Sequence, residues 1–156
     1  MTMSSRLAAY LSNVQVDYEI VDHPAAASAS RIAEAAHIPG DQMVKTVLLH
    51  DEKGHLLVAL PSTHRIDLVA LRSLFHRAFE VADEDKLKAF FPDCDLGSVP
   101  PIGVAYSLHT IGDESLKIKP VIYFDTGDKN QLMKVDQATF AELMATAEWC
   151  YFSQHT

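Results

Sequence analysis

A lysine stands inside an apolar, strand-like run, Met43-Val44-Lys45-Thr46-Val47-Leu48-Leu49. Most strand lysines lie in water with their stems flat on the surface. One that projects into a cleft is a fixed cation, able to polarise an ester carbonyl or neutralise a phosphate or carboxylate without being consumed. A second stretch is Gly97-Ser98-Val99-Pro100-Pro101-Ile102-Gly103. Its two prolines fix φ and remove two backbone donors, so it is neither a helix interior nor a central strand. The flanking glycines admit backbone angles or close approaches that a side chain would forbid. The expectation is a stiff, exposed loop whose Gly97, Ser98 and Val99 amides point at a bound group. A rigid corner with no ligand is the plainer reading. The third stretch, Phe124-Asp125-Thr126-Gly127-Asp128-Lys129-Asn130, lies between two apolar runs. It reads as a polar hairpin loop, or as a contact site using Gly127 for close approach and Asp128 or Asn130 as hydrogen-bond partners.

Other chemistries find less support. The eight histidines show neither the spacing of a helical zinc site nor a Cys-x-x-Cys partner, so no metal is expected. Asp93-Cys94-Asp95 has no obvious base nearby and reads as a turn with a buried thiol. No glycine-rich dinucleotide or phosphate loop and no nucleophile elbow is present, so no cofactor is expected.

The elements that must position these residues fit one domain over residues 1–156. No apolar run approaches transmembrane length, and the first residues lack the apolar core of a signal peptide. Two cysteines suggest reduced thiols in a cytoplasm rather than a disulfide framework. The formal charge of −8 argues against a broad nucleic-acid grip and against DNA, but a small basic pocket on an acidic body can still hold an RNA end.

Helices are expected over residues 6–13 behind Ser4 and Ser5, over 28–37 before Pro39-Gly40, from Asp67 to about 75, over 84–91 after Asp83, and after Asp136. Strands are expected over 17–22, 43–50, 56–60, 104–108, 109–111, 121–124 and 132–135, with a hairpin at Asp51-Glu52-Lys53-Gly54. The tail Trp149-Cys150-Tyr151-Phe152 should be packed or paired. Strands that neither alternate with helices nor segregate from them imply a mixed sheet, α/β or α+β.

Lys45-Thr46-Val47-Leu48-Leu49, Leu60-Pro61-Ser62, Arg65-Ile66-Asp67-Leu68, the glycine-proline loop and Gly127-Asp128-Lys129-Asn130 together resemble the YbaK/ProX family. These are aminoacyl-tRNA deacylases related to the editing domain of bacterial prolyl-tRNA synthetases. The resemblance runs from about His23 to the last helix. It implies a compact α/β domain with a barrel-like mixed sheet surrounded by helices. It also implies hydrolysis of the ester joining a wrong amino acid to a tRNA 3′ end, with a synthetase as a possible partner. Lys45 matches the residue most tied to activity in relatives, and the glycine loop lines their pocket. The implied substrate-contacting set is His23, Thr46, Ser62, Pro100, Gly103, Gly127, Asp128 and Asn130. Close relatives tend to carry Gly-Asp-His where this chain has Gly127-Asp128-Lys129, which puts a role for Lys129 in doubt.

An aminoacyl ester is already activated, so water in an electrostatically prepared site suffices. The expectation is that the Gly97, Ser98 and Val99 amides receive the developing oxyanion, at about 3 kcal/mol per donor. Lys45 would hold the carbonyl or the terminal phosphate. Two other readings stay open: a non-catalytic module that binds charged tRNA or a synthetase, and a hydrolase of small esters.

Overall fold

The computed structural model describes residues 2–24 and 29–156. Chain order is α1 (Ser5–Val14), β1 (Glu19–Asp22), α2 (Ala29–Ala35), β2 (Val44–Asp51), β3 (Gly54–Pro61), β4 (His64–Ile66), α3 (Leu68–Phe75), β5 (Glu80–Val81) and α4 (Glu84–Phe90). There follow β6 (Thr110–Asp113), β7 (Val121–Asp125), β8 (Gln131–Asp136), α5 (Gln137–Leu143), β9 (Glu148–Cys150) and β10 (Ser153–His155). The helix expected from Ser28 begins outside the described residues. Ser4, Asp67, Asp83 and Asp136 each cap the helix that follows, their side chains accepting the amide three residues on.

Strands β2 and β3 form an eight-pair antiparallel hairpin from Val44↔Pro61 to Asp51↔Gly54. They lie at the centre of a five-stranded sheet of order β5-β2-β3-β6-β9, in which β6 pairs parallel with both neighbours. A three-stranded antiparallel sheet runs β1-β8-β7, and β4 pairs with β10. The two larger sheets meet through one isolated parallel bridge, Met43↔Tyr123. Among the described residues no closed barrel forms. The barrel-like closure is therefore corrected: one bridge replaces a ladder, and side chains fill the join. Val44 and Ala59 of the large sheet pack there against Ile122, Phe124, Met133 and Val135 of the small one, with Leu7 and Leu11 of α1 and Phe140 of α5.

Two local expectations are also corrected. Residues 104–108 are not a strand; Gly103–Tyr106 is a 3-10 helix ended by Ser107 in the left-handed region. Tyr106 is thereby turned inward onto Phe91. The tail does pair, with Glu148–Cys150 beside β6 and Ser153–His155 beside β4, but Tyr151 between them stays 73% exposed.

Candidate functional site

The glycine-proline loop is built as a turn that plugs into the core. Gly97 has φ +81°, and the Ser98 amide donates to Asp95 O at 3.1 Å. The loop is not the exposed one expected: only Leu96 and Gly97 reach solvent, and residues 98–103 are buried. Val99 packs with Leu48, Leu57, Phe91 and Tyr106, while Ile102 enters the core between the sheets. Pro100 and Pro101 leave no donor to satisfy, which makes that burial cheap. A Cβ on Gly103 would lie 2.2 Å from Thr110 Oγ1, so Gly103 is there for close packing. The Ser98 amide is consumed by its own turn. Among the described residues the Gly97 and Val99 amides make no hydrogen bond.

This loop is stitched to the one after β7. The Gly127 amide donates to Ser98 O at 2.8 Å, the Asp95 amide to Gly127 O at 2.7 Å, and the Lys129 amide to Asp95 Oδ2 at 2.9 Å. Gly127 has φ +99°. Asp128 is buried and accepts the Asn130 amide at 2.9 Å, and Asn130 O accepts the His23 amide at 2.8 Å. His23 Nδ1 meets Pro24 O at 2.7 Å, and its Nε2 is buried with no partner. The structure thus brings His23, Ser98, Gly127, Asp128 and Asn130 into one hydrogen-bonded group.

Lys45 and Ser62 form a second group at the start of β2 and the end of β3. Lys45 is half-buried opposite Leu60, and its Nζ donates to His64 O at 2.6 Å. Burial, and then the Arg65 guanidinium, hold its ammonium below the usual lysine range. Ser62 Oγ donates to Gly40 O at 2.6 Å. Thr46 alternates to the other face with Val44 and Leu48, its Oγ1 buried without a partner. No hydrogen bond joins Lys45 to either loop among the described residues. The link between the groups is the Met43↔Tyr123 bridge: two residues beyond it on β2 is Lys45, and two beyond it on β7 is Asp125. Strand alternation sets both on the face where Met43 packs with Tyr123, Leu132 and Ile32 of α2.

Sequence reasoning missed Asp125. Its Oδ1 is buried with no partner, and burial pushes its carboxyl up to about 8. The alternation Ile122, Phe124 inward was legible, and it sets Asp125 on the opposite face; that this face is also covered was not. A second missed cluster fastens α1 to the loops. The Ser4 amide donates to Thr126 O at 2.8 Å, Ser4 Oγ donates to Asp93 Oδ2 at 2.5 Å, and Tyr106 OH meets both Ser4 Oγ and Cys94 Sγ. Burial raises the Cys94 thiol to about 11, so it is not a thiolate nucleophile at neutral pH.

The profile of the family described as the aminoacyl-tRNA editing domain matches residues 23–143. The chain belongs to that family. No curated protein matches it in sequence. Among solved structures, one described provisionally as a trans-editing enzyme for prolyl-tRNA synthetase is 22% identical, covers 97% of this chain and 96% of its own, and superposes with a TM-score of 0.83. A scaffold used for computational grafting of linear epitopes is 23% identical over 98% of this chain and 97% of its own, with a TM-score of 0.81. A hypothetical protein at 15% identity covers 96% and 100%, with a TM-score of 0.83. At these identities the likeness is one of fold. The family match covers α2 through α5 without α1 and β1, so all three candidate stretches of this editing domain lie inside it.

Proposed function

We propose that this protein is a deacylase that removes a wrong amino acid from the 3′ end of tRNA, acting in trans in the cytoplasm, alone or beside a synthetase. Water adds to the ester carbonyl, the bond from that carbon to the ribose oxygen breaks, and free amino acid and uncharged tRNA leave. The Gly97 and Val99 amides are the donors left for the developing oxyanion, since the Ser98 amide is spent in its turn. Lys45 supplies the fixed cation for the carbonyl or terminal phosphate. No protein nucleophile is required, which agrees with the high thiol of Cys94. His23, Asp128 and Asn130 frame the substrate beside the loop, and pocket width sorts the amino acid, at about 1–3 kcal/mol per methylene.

The observation that supports this most is the Gly127 amide to Ser98 O bond within an editing-family domain, because it holds two of the three candidate stretches as one unit. The test is release of amino acid from a panel of tRNAs mischarged with alanine, serine, threonine or cysteine. Turnover of at least one supports the reading. Tight binding with no release from any would replace it with a binding module.

A further inference from the structure

Among the described residues, two buried polar atoms without a partner belong to one face of the small sheet: His23 Nε2 and Asp125 Oδ1. The register sets them there. Val21 pairs with Leu132 and Leu132 with Asp125, so these three form one row across β1, β8 and β7. The His23 amide donates to Asn130 O at 2.8 Å, which carries the β1–β8 pairing past Asp22. Two residues on from Val21, His23 therefore returns to the face that holds Asp125. Both side chains are deeply covered, His23 at 6% and Asp125 at 5% exposure. With β8 between them, strand spacing sets their Cα atoms about 12 Å apart, the span of two side chains and one bridging atom.

Both atoms ask for the same thing. His23 Nδ1 lies 2.7 Å from Pro24 O. A carbonyl only accepts, so in the neutral ring Nδ1 carries the proton and Nε2 keeps a bare lone pair. Asp125 Oδ1 is an acceptor too, and burial raises its carboxyl with no neighbouring cation to draw it back down. Lys45, set on this face by the Met43↔Tyr123 bridge, spends its ammonium on His64 O. Met43, Tyr123, Leu132 and Ile32 of α2 pack into the apolar cluster of this face. Two acceptors left open on a covered apolar face are costly, and a donor bearing positive charge satisfies both.

We propose that His23 Nε2 and Asp125 Oδ1 together form a site for a primary ammonium, the free α-amino group of the aminoacyl ester. An ammonium has three N–H donors and no acceptor, so it can serve both atoms, and its charge leaves Asp125 as the carboxylate opposite it. A hydroxyl or an acylated amine brings one donor and no charge, so the site spares tRNA whose amino acid is blocked at nitrogen. The α-amino group as the source rests on the deacylase reading; the demand for a cationic donor rests on the two open acceptors. The probes are the amides of alanine, serine, threonine and cysteine, titrated by NMR against the full chain at pH 7. Each is paired with the 2-hydroxy amide in which a hydroxyl replaces the ammonium. At least one amino amide should bind, ~10-fold or more tighter than its hydroxy partner. Asp125→Asn, which keeps the shape, should erase that preference while leaving binding of the hydroxy amide unchanged. His23→Ala should reduce the preference severalfold. On mischarged tRNA the wild type should release a free-amino residue ~10-fold or more faster than its N-acetylated form, and Asp125→Asn should treat the two alike. No binding of any amide, equal binding of amino and hydroxy amides, or a preference that survives Asp125→Asn would overturn the proposal, even with deacylation intact. Amide binding that needs Asp125, in a protein that deacylates nothing, would uphold the site while removing the deacylase reading.

Discussion

The Gly127 amide donates to the Ser98 carbonyl across 2.8 Å, so two loops about thirty residues apart in sequence share one backbone. Gly127 has φ +99°, and a Cβ there would sit 2.9 Å from the Ser4 backbone nitrogen and 3.2 Å from Cys94 Sγ. Gly127→Ala is therefore expected to cost on the order of 1–3 kcal/mol through left-handed strain and collision with the N-terminal cap. Thermal unfolding should fall by several degrees, and α1 amides should exchange faster. An unchanged melting temperature would contradict the packing described.

Lys45→Ala should reduce kcat/KM on mischarged tRNA by ~10²-fold or more while leaving the circular dichroism spectrum and melting temperature close to the wild type. Retained turnover would remove Lys45 from the mechanism. Because burial and Arg65 both lower the Lys45 ammonium, activity should decline on the alkaline side below the ordinary lysine range. Arg65→Ala removes the second cause and should move that decline to higher pH. A limb that does not move would separate the two residues.

Asp125 carries a stability cost that depends on pH. Its folded carboxyl is raised to about 8 from an ordinary value of 3.8, so the proton is held more tightly in the folded state. The fold is fully stable, as far as this group goes, below about pH 4, and loses stability as pH rises toward 8. Asp125→Asn should raise stability at pH 7 by about 2–4 kcal/mol and flatten the slope between those limits. Chemical denaturation at pH 4, 6 and 8 reads both effects, and a variant with the wild-type slope would refute the burial.

Asp93 accepts from Ser4 Oγ, the Arg6 amide and Tyr106 OH, holding α1 against the loop. Asp93→Ala leaves the Arg6 amide without its acceptor and removes one partner from Ser4 Oγ and Tyr106 OH, and should cost about 1–3 kcal/mol. A loss below half a kcal/mol in urea titration would show that α1 is held without this carboxylate.

What the chain discloses without coordinates is mostly what is local. Asp67, Asp83 and Asp136 announce their helices because a cap acts within three residues, and the β2–β3 hairpin follows from two apolar runs around Gly54. Residues 104–108 were misread because Val104 and Tyr106 favour strands, whereas the close approach of Gly103 to Thr110 decides the path. Lys45 stood out as a cation in an apolar run. Asp125 did not, since its burial is set by tertiary packing and not by its neighbours in sequence. The spent Ser98 amide was hidden too, for it depends on how Asp95 and Gly97 close their turn.

A single bridge at Met43↔Tyr123, where a barrel would have a ladder, makes the join between the sheets a seam held by oily contact. Such contact is indifferent to small sliding, whereas a row of amide bonds is not. One sheet can shift against the other by a fraction of an ångström at little cost, so a screen should find this protein tolerant of amino acids one carbon apart.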